Sequence, residues 1–321
     1  MKQEKTLLLV NFGGPRSLEE IPAFLTSLLT DQEVIRTGLP SWLHRQIFTR
    51  VAKKRSTVVS GDYAKIGGKS PIFEDTEALA RALSEKLGIK VISFHRYLPS
   101  THADFIKRVQ ETTGELIVLP LFPQFSYATT GSIALFLARH LDASRMRWVA
   151  SYATHPGYIA AMQNLLKEYS RGDETFIYSA HGLPKNFIET GDPYQRQCIQ
   201  TFEAIQEGFP DADHLICYQS QFGKSEWIRP HTRDVCAEPE SFLPGCRKAV
   251  IVPLSFTSDH IETLFEIEEL YLPPLREKGI EATRCPALNR RPEWIEALAD
   301  IALNSSYLST QMLLRRPQLA G

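Results

Sequence analysis

Two segments in the second half of the sequence carry side chains that suit metal binding or proton transfer. His181 follows the apolar run of residues 175–178, and His260 and Glu262 follow a second apolar run at residues 248–252. Ligand sites in parallel sheets lie beyond the carboxyl ends of the strands, so side chains from two such loops can converge on one point. An imidazole and a carboxylate suit a borderline divalent transition metal, and the same pair can accept protons.

The same residues also fit structural roles. A histidine in a strand-to-helix turn, as His181 is, often hydrogen-bonds a backbone carbonyl. Asp259 and Glu262 have the D-x-x-E spacing of a capping box, in which both side chains satisfy backbone N–H groups at a helix start. On a straight helix His260 points away from Glu262, because positions i and i+2 do not share a face, and this favours a supporting role for His260. Residue types alone leave both interpretations open.

A row of acidic residues continues beyond the candidate site. Glu262, Glu266 and Glu269 are spaced at i, i+4 and i+7, which stacks them on one side of an α-helix. Carboxylates in such a row repel one another, so the row makes sense as a cation path or a proton relay leading from Glu262. A solvated acidic face explains the pattern equally well.

Two segments in the first half suit an anionic or apolar ligand. Residues 67–70 (GGKS) precede a predicted helix, whose N-terminus can bind an anion such as a carboxylate, although the glycines also indicate a tight turn. Residues 34–55 place Trp42, Ile47 and Phe48 among arginines and lysines. An apolar face edged with cations fits an anionic apolar ligand or a membrane surface, and equally an ordinary surface helix.

Short apolar runs alternate with amphipathic stretches along the whole chain, which predicts an α/β fold built on parallel sheets. The two halves also resemble each other, residues 8–15 matching 176–184 and residues 117–121 matching 250–254. This internal similarity predicts two similar lobes, 1–150 and 151–321, each a parallel four-stranded sheet flanked by helices, with the active-site cleft between them. In this comparison Phe12 aligns with His181, Tyr127 with His260, and Thr129 with Glu262.

The bulk composition narrows the class of protein. The 321 residues have a formal net charge of −1, so no global field favours nucleic acid, and we predict no nucleic-acid partner. The five cysteines form no C-x-x-C pair, which indicates unpaired thiols in a reducing compartment. No run approaches the roughly 20 apolar residues of a membrane span. The predicted location is cytoplasmic, and peripheral membrane contact stays open.

Six sequence blocks, in order along the chain, resemble the motifs of the ferrochelatase family. They are residues 9–15 (LVNFGGP), 63–72 (YAKIGGKSPI), 119–132 (LPLFPQFSYATTGS), 179–184 (SAHGLP), 218–223 (YQSQFG) and 258–264 (SDHIETL). Together they span nearly the whole chain, so the joint resemblance is far more specific than any single block. It implies a chelatase-like, Rossmann-type fold and the insertion of Fe(II) into a porphyrin, a lyase reaction late in haem synthesis.

The resemblance also assigns roles to individual residues. His181 and Glu262 are implied to be the catalytic and metal-binding residues, supported by Asp259, His260 and Glu266. The residues implied to line the porphyrin pocket are Phe12, Arg55, Tyr63, Ser70, Arg96 and Tyr97. We expect His181 to accept protons and Glu262 to give electrostatic support to the approaching metal, although the two roles are interchangeable at this level.

Departures from the family pattern bear on cofactors. The family's acidic row more often continues at the position of Leu270 than at Glu269, which puts the role of Glu269 in doubt. Tyr127 stands where some animal members have a cluster-ligating cysteine, so we predict no iron–sulfur cluster. No other cofactor is expected, because iron is a substrate, and the protein is expected to be a monomer.

Two other functions remain open at this stage. One is a cobalt or nickel chelatase acting on another tetrapyrrole, against which the SDHIETL block around Glu262 argues. The other is a non-catalytic porphyrin or haem carrier, which needs an aromatic pocket but no acid–base pair. The residues do not distinguish protoporphyrin IX from coproporphyrin III as the porphyrin substrate.

Overall fold

A computed structural model describes residues 4–316, which divide into two compact units. The first unit comprises the described residues up to Ser151 together with Leu298–Arg316, and the second comprises Tyr152–Ala297. The predicted junction near Ala150 lies beside this division. The sequence predicted that residues 298–316 belong to the second lobe. They belong to the first unit instead, because the C-terminal segment packs there.

Nine strands build the sheets of the described residues. They are β1 Lys5–Asn11, β2 Lys90–His95, β3 Glu115–Pro120, β4 Met146–Val149, β5 Thr175–His181, β6 Asp213–Gln219, β7 Lys248–Pro253, β8 Glu281–Arg284 and β9 Tyr307–Leu308.

Helices connect and cover these strands. The α-helices are α1 Ile21–Leu29, α2 Ser41–Lys65, α3 Ile72–Leu87, α4 His102–Gln110, α5 Ser132–His140, α6 Pro156–Lys167, α7 Lys185–Glu189, α8 Tyr194–Gln206, α9 Thr232–Ala237, α10 Pro239–Phe242, α11 Leu272–Glu277, α12 Pro292–Asn304 and α13 Thr310–Leu314. Short 3₁₀ turns lie at Leu18–Glu20, Pro99–Thr101 and Ala143–Arg145, and π-helical segments lie at Tyr127–Gly131 and Glu262–Tyr271.

The two units repeat one sheet topology. The first sheet has the order β2-β1-β3-β4-β9 and the second has the order β6-β5-β7-β8. Strands β1–β4 are mutually parallel, as are β5–β8, and the position of each strand in the first set is repeated in the second. This agrees with the internal similarity of the sequence. The first sheet gains one strand that was not predicted, because β9 has only two residues and pairs antiparallel to β4.

The apolar runs form strands that are enclosed on both faces. Leu7, Leu8, Leu9 and Val10 of β1 are all fully buried, and β5 is buried along its length up to His181. Helices on both faces of a parallel sheet remove the alternation of polar and apolar residues seen in half-exposed strands. Side chains that can meet a ligand therefore come from the strand ends and the loops and not from the strand interiors.

The described helices include none that is both long and apolar enough to cross a membrane. All five cysteines are unpaired, as the sequence predicted, and four of them are buried.

The C-terminal segment is anchored to the first unit by specific contacts. The Trp148 indole donates a hydrogen bond of 3.0 Å to the Thr310 hydroxyl inside the core. Leu313 of α13 belongs to the same buried cluster as Trp148. The Tyr127 hydroxyl donates a hydrogen bond of 2.9 Å to the Arg315 carbonyl. These contacts explain why the segment belongs to the first unit although it follows the second in sequence.

We predict that Leu313→Ala lowers the free energy of unfolding by about 2–5 kcal/mol, because removing buried methyl groups leaves a cavity. Met312→Ala is the matched control: Met312 lies in the same helix but is 62% exposed, so its change should stay below about 0.5 kcal/mol. Urea denaturation measures both. Equal effects of the two substitutions would contradict the packing of α13 described here.

Candidate active site

His181 is the last residue of β5, and its ring is oriented by the backbone. Its Nδ1 lies 2.5 Å from the Gly182 carbonyl, which requires the proton on Nδ1 and leaves the lone pair of the neutral ring on Nε2. That Nε2 lies 3.8 Å from Oε1 of Glu262. Both interpretations of His181 therefore hold at once: one ring nitrogen binds a carbonyl, and the other faces the carboxylate.

Gly182 allows this loop to approach its neighbours closely. A Cβ atom added there would lie 2.9 Å from the Gln219 carbonyl oxygen and 3.0 Å from the Trp227 ring, distances too short for a side chain. The rings of Trp227 and Phe256 each lie 6.4 Å from the His181 ring, measured between centroids. Neither aromatic residue was identified from the sequence.

Glu262 begins the longer π-helical segment and faces two imidazoles. Its Oε2 lies 3.3 Å from Nε2 of His260, in addition to the contact between Oε1 and His181. The prediction that His260 points away from Glu262 is wrong, because His260 lies in the irregular segment before the helix and not on a helical face. The predicted capping box is also not formed, since the Glu262 carboxylate turns to the histidines instead of a backbone N–H.

The charges around Glu262 keep its carboxylate ionised. Burial raises the pKa of Glu262, but attraction to His181 and His260 when these rings are protonated, together with the hydrogen bond from His260, outweighs burial and holds the pKa at about 2.

Glu266, one turn further along the helix, holds its proton more tightly than an ordinary glutamate. Burial and the negative charge of Glu262 raise the pKa of Glu266 to about 7, against the lowering effect of hydrogen bonds from Ser220 and Gln219. Its Oε2 accepts hydrogen bonds from the Ser220 hydroxyl at 2.6 Å, the Gln219 amide at 3.2 Å and the Tyr271 hydroxyl at 3.3 Å. Glu266 can therefore change its protonation state near neutral pH.

The π-helical geometry alters the predicted acidic row. Hydrogen bonds from i to i+5 lengthen each turn beyond the 3.6 residues of an α-helix. The residue one turn beyond Glu266 is then Leu270, in place of the Glu269 expected from α-helical spacing. Both Glu269 and Leu270 are exposed, so the half-buried part of the row consists of Glu262 and Glu266.

Asp259 supports the start of this helix through a saturated set of hydrogen bonds. Its Oδ1 accepts from the Thr263 hydroxyl and the Arg284 guanidinium, each at 2.8 Å, and its Oδ2 accepts from the Asn289 amide at 2.8 Å. Arg284 also binds Glu268 at 2.9 Å. No local sequence pattern pointed to Arg284 or Asn289, because they come from β8 and the loop after it.

The residues assigned to the porphyrin pocket all lie in the first unit. Phe12 follows β1 and packs edge-to-face on Tyr97, with ring centroids 4.5 Å apart. Tyr63 is buried in the last turn of α2, Ser70 is buried just before α3, and Arg55 is exposed on α2.

Arg96 and Tyr97 share a carboxylate. The Arg96 guanidinium lies 2.7 Å from Oδ2 of Asp31, and the Tyr97 hydroxyl donates to the same oxygen at 3.0 Å. Ser132 accepts a further hydrogen bond of 3.0 Å from Arg96. Burial raises the pKa of Tyr97, so its hydroxyl stays protonated. The Asp31 carboxylate therefore balances the charge of Arg96 within the first unit.

The donors suited to a metal are few. The described residues contain no group of three or more His, Cys, Asp or Glu side chains arranged to hold a metal ion. His181 and Glu262 offer one nitrogen and one carboxylate, which leaves most of a metal's coordination positions open.

Comparison with known proteins matches the chain to one family over most of its length. A family model described as Ferrochelatase matches residues 4–306. The ferrochelatase of Chlamydia abortus is 44% identical over 318 residues, covering 97% of this chain and 99% of that protein. The ferrochelatase of Chlamydia muridarum is 43% identical, covering 94% of this chain and 95% of that protein.

Solved structures share the fold at low sequence identity. A structure described as SirB from Bacillus subtilis with Fe3+ has a TM-score of 0.57 at 14% identity, covering 94% of this chain and 96% of that chain. The sirohydrochlorin chelatase SirB from Bacillus subtilis subspecies spizizenii, in complex with cobalt, has a TM-score of 0.53 at 13% identity with the same coverage. The predicted chelatase-like α/β fold is confirmed.

The raised pKa of Glu266 predicts a pH dependence of stability. Between the usual value of 4.5 and about 7 the folded protein holds a proton that the unfolded chain releases, so this group makes stability fall as pH rises through that interval. Glu266→Gln removes the titration, and its free energy of unfolding should fall less than that of the wild type. Urea denaturation at pH 5, 6, 7 and 8 measures the difference, and parallel curves would contradict the assignment.

Proposed function

The chain belongs to the ferrochelatase family, and we propose that His181 and Glu262 are the residues through which it inserts Fe(II) into a porphyrin. The enzyme is a metal chelatase, a lyase of haem biosynthesis. The observation that carries the residue assignment is the 3.8 Å approach of His181 Nε2 to Glu262 Oε1 at the end of β5, with the opposite ring nitrogen held by a carbonyl.

The reaction exchanges two protons for one metal ion. Two pyrrole N–H bonds break, and the two deprotonated nitrogens bind the iron together with the other two ring nitrogens. His181 Nε2 carries the free lone pair and accepts the two protons from the ring one at a time, releasing the first to solvent before it accepts the second. Glu262, ionised at any physiological pH, offers the approaching cation a ligand that needs no deprotonation. Glu266, with its pKa of about 7, extends the acidic path and takes up or releases a proton.

The first unit supplies the groups that bind the porphyrin. Phe12 is braced against Tyr97, which gives a firm aromatic surface for the macrocycle. Arg55, which is exposed on α2, is the proposed partner for a propionate, and the Arg96 guanidinium is held by Asp31. Tyr63 and Ser70 complete the set. Binding energy from the ring and its propionates can then distort the macrocycle so that its nitrogens face the metal.

No resident cofactor is required, because the iron is a substrate. Where some animal members have a cluster-ligating cysteine, the Tyr127 ring lies 5.0 Å from the Arg316 guanidinium and its hydroxyl binds the Arg315 carbonyl. A phenol engaged in this way is a poor cluster ligand, which supports a protein without an iron–sulfur cluster.

We also propose a cytoplasmic enzyme that contacts anionic membrane surfaces through α2. This helix of 25 residues exposes Trp42, Ile47 and Val58, while Arg50 and Lys54 lie exposed between them. Apolar side chains interspersed with cations suit the headgroup region of an anionic bilayer. That the enzyme is a monomer stays a prediction, which light scattering would check.

The membrane proposal predicts that vesicles containing phosphatidylserine bind the protein more strongly than vesicles of phosphatidylcholine alone. Ile47→Ala should weaken this binding, whereas Ile199→Ala on α8 should not, although both isoleucines are 36% exposed. Vesicle flotation at low and high salt measures both. Equal binding by the two variants, or by the two vesicle types, would overturn the proposal.

The proposed site predicts the outcome of anaerobic turnover with ferrous iron and either protoporphyrin IX or coproporphyrin III. His181→Ala and Glu262→Ala should each lower kcat about 100-fold or more while porphyrin binding is retained. His140→Ala and Glu277→Ala, two exposed positions outside the site, serve as matched controls. The porphyrin that turns over faster is the assigned substrate.

Three outcomes would contradict the proposal in different ways. Turnover that survives in either site variant would remove that residue from the mechanism. If the wild type binds porphyrin but does not turn it over, the protein would be a porphyrin carrier and not an enzyme. Insertion of cobalt or nickel but not of iron would indicate a chelatase of another specificity.

A further inference from the structure

Gln219 occupies a central place in the second unit that no sequence argument assigned. It ends β6 and is the register partner of His181 across the parallel pair β5–β6. Its carbonyl oxygen accepts a hydrogen bond of 2.8 Å from the Gly182 N–H, directly after His181. Gln219 therefore fixes the backbone from which the His181 ring projects.

The side chain of Gln219 is oriented without ambiguity by its neighbours. It is 1% exposed, and its Oε1 accepts a hydrogen bond of 2.7 Å from the Ser179 hydroxyl, which is itself 2.7 Å from the Thr232 hydroxyl. The amide nitrogen must then point the other way. It donates to the Glu262 carbonyl at 2.8 Å and to Oε2 of Glu266 at 3.2 Å.

These contacts join the strand that carries the imidazole to the helix that carries the carboxylates. The Gln219 backbone binds the residue next to His181, while its amide binds the main chain of Glu262 and the side chain of Glu266. A neutral donor makes these bonds without adding charge beside the pair of His181 and Glu262. A carboxylate at this position would repel Glu266, and an apolar side chain would leave the Glu262 carbonyl without this donor.

We propose that Gln219 is a positioning residue for metal insertion: it sets the spacing between His181 and Glu262 and aims the carboxylate of Glu266. The inference rests on the proposed roles of these three residues and adds the group that holds them in place. Gln219 acts through them and touches neither the metal nor the porphyrin.

The test compares Gln219→Met, which keeps the side-chain volume but lacks the donor, with Gln219→Glu, which keeps the acceptor for Ser179. Gln200→Leu, at an exposed position of α8, is the matched control. We expect kcat/KM for Fe(II) to fall about 10–100-fold in both variants at position 219, as for other residues that orient metal ligands. Porphyrin affinity, measured by fluorescence quenching, should stay at the wild-type value, which a general loss of structure would not allow.

A double-mutant cycle shows whether Gln219 acts through Glu266. If it does, the effects of Gln219→Met and Glu266→Gln on kcat/KM are not additive, because the second substitution removes an interaction that is already lost. Ser179→Ala removes the hydrogen bond that orients the amide, together with the contact between the Ser179 and Thr232 hydroxyls, and should give a smaller decrease in the same direction. It also keeps the inference testable if Gln219→Met does not fold.

The results separate this inference from the proposed function. If His181→Ala and Glu262→Ala abolish turnover while Gln219→Met and Ser179→Ala keep the wild-type kcat and KM for iron, the positioning role is overturned and the proposed function stands. Additive effects with Glu266→Gln also overturn it. If turnover survives in His181→Ala or Glu262→Ala, the site assignment fails, and the positioning role fails with it.

Discussion

The ionised carboxylate of Glu262 is the constraint on which the arrangement of the second unit depends. A negative charge that is largely removed from water is costly unless positive charge or hydrogen-bond donors face it. His181 and His260 approach its two oxygens at 3.8 and 3.3 Å, and the resulting pKa of about 2 is the balance between burial and their attraction. The strand end, the glycine turn and the helix start are all arranged so that two imidazoles meet one carboxylate.

Glu266 shows the consequence of that fixed charge for its neighbour. Two carboxylates on successive turns cannot both ionise freely, so the one that faces the histidines keeps its charge and the other retains its proton to about pH 7. The division assigns different chemistry to two identical functional groups. An ionised Glu262 can attract a cation, whereas Glu266 can take up and release a proton, as metal insertion requires.

The fold and the central pair could be predicted from the sequence because both depend on local patterns. Apolar runs followed by glycine turns predicted the parallel strands. The motif blocks pointed to His181 and Glu262. The relation between His260 and Glu262 could not be predicted, because it depends on where the helix begins. The contacts of Gln219, Arg284 and Asn289 are long-range, and only the register of neighbouring strands brings them to the site.

The two units share one topology but carry different side chains at equivalent turns. Each unit carries a π-helical segment after its third strand, with Thr129 aligned to Glu262 and Tyr127 to His260. In the first unit this position holds the C-terminal segment through the Tyr127 hydroxyl, so it serves packing. In the second, the equivalent turn carries an imidazole and a carboxylate. The two units have the same backbone topology but different side chains at these turns. Topology alone therefore cannot indicate which unit carries an acid–base or metal-binding pair, and the side chains at the turns decide it.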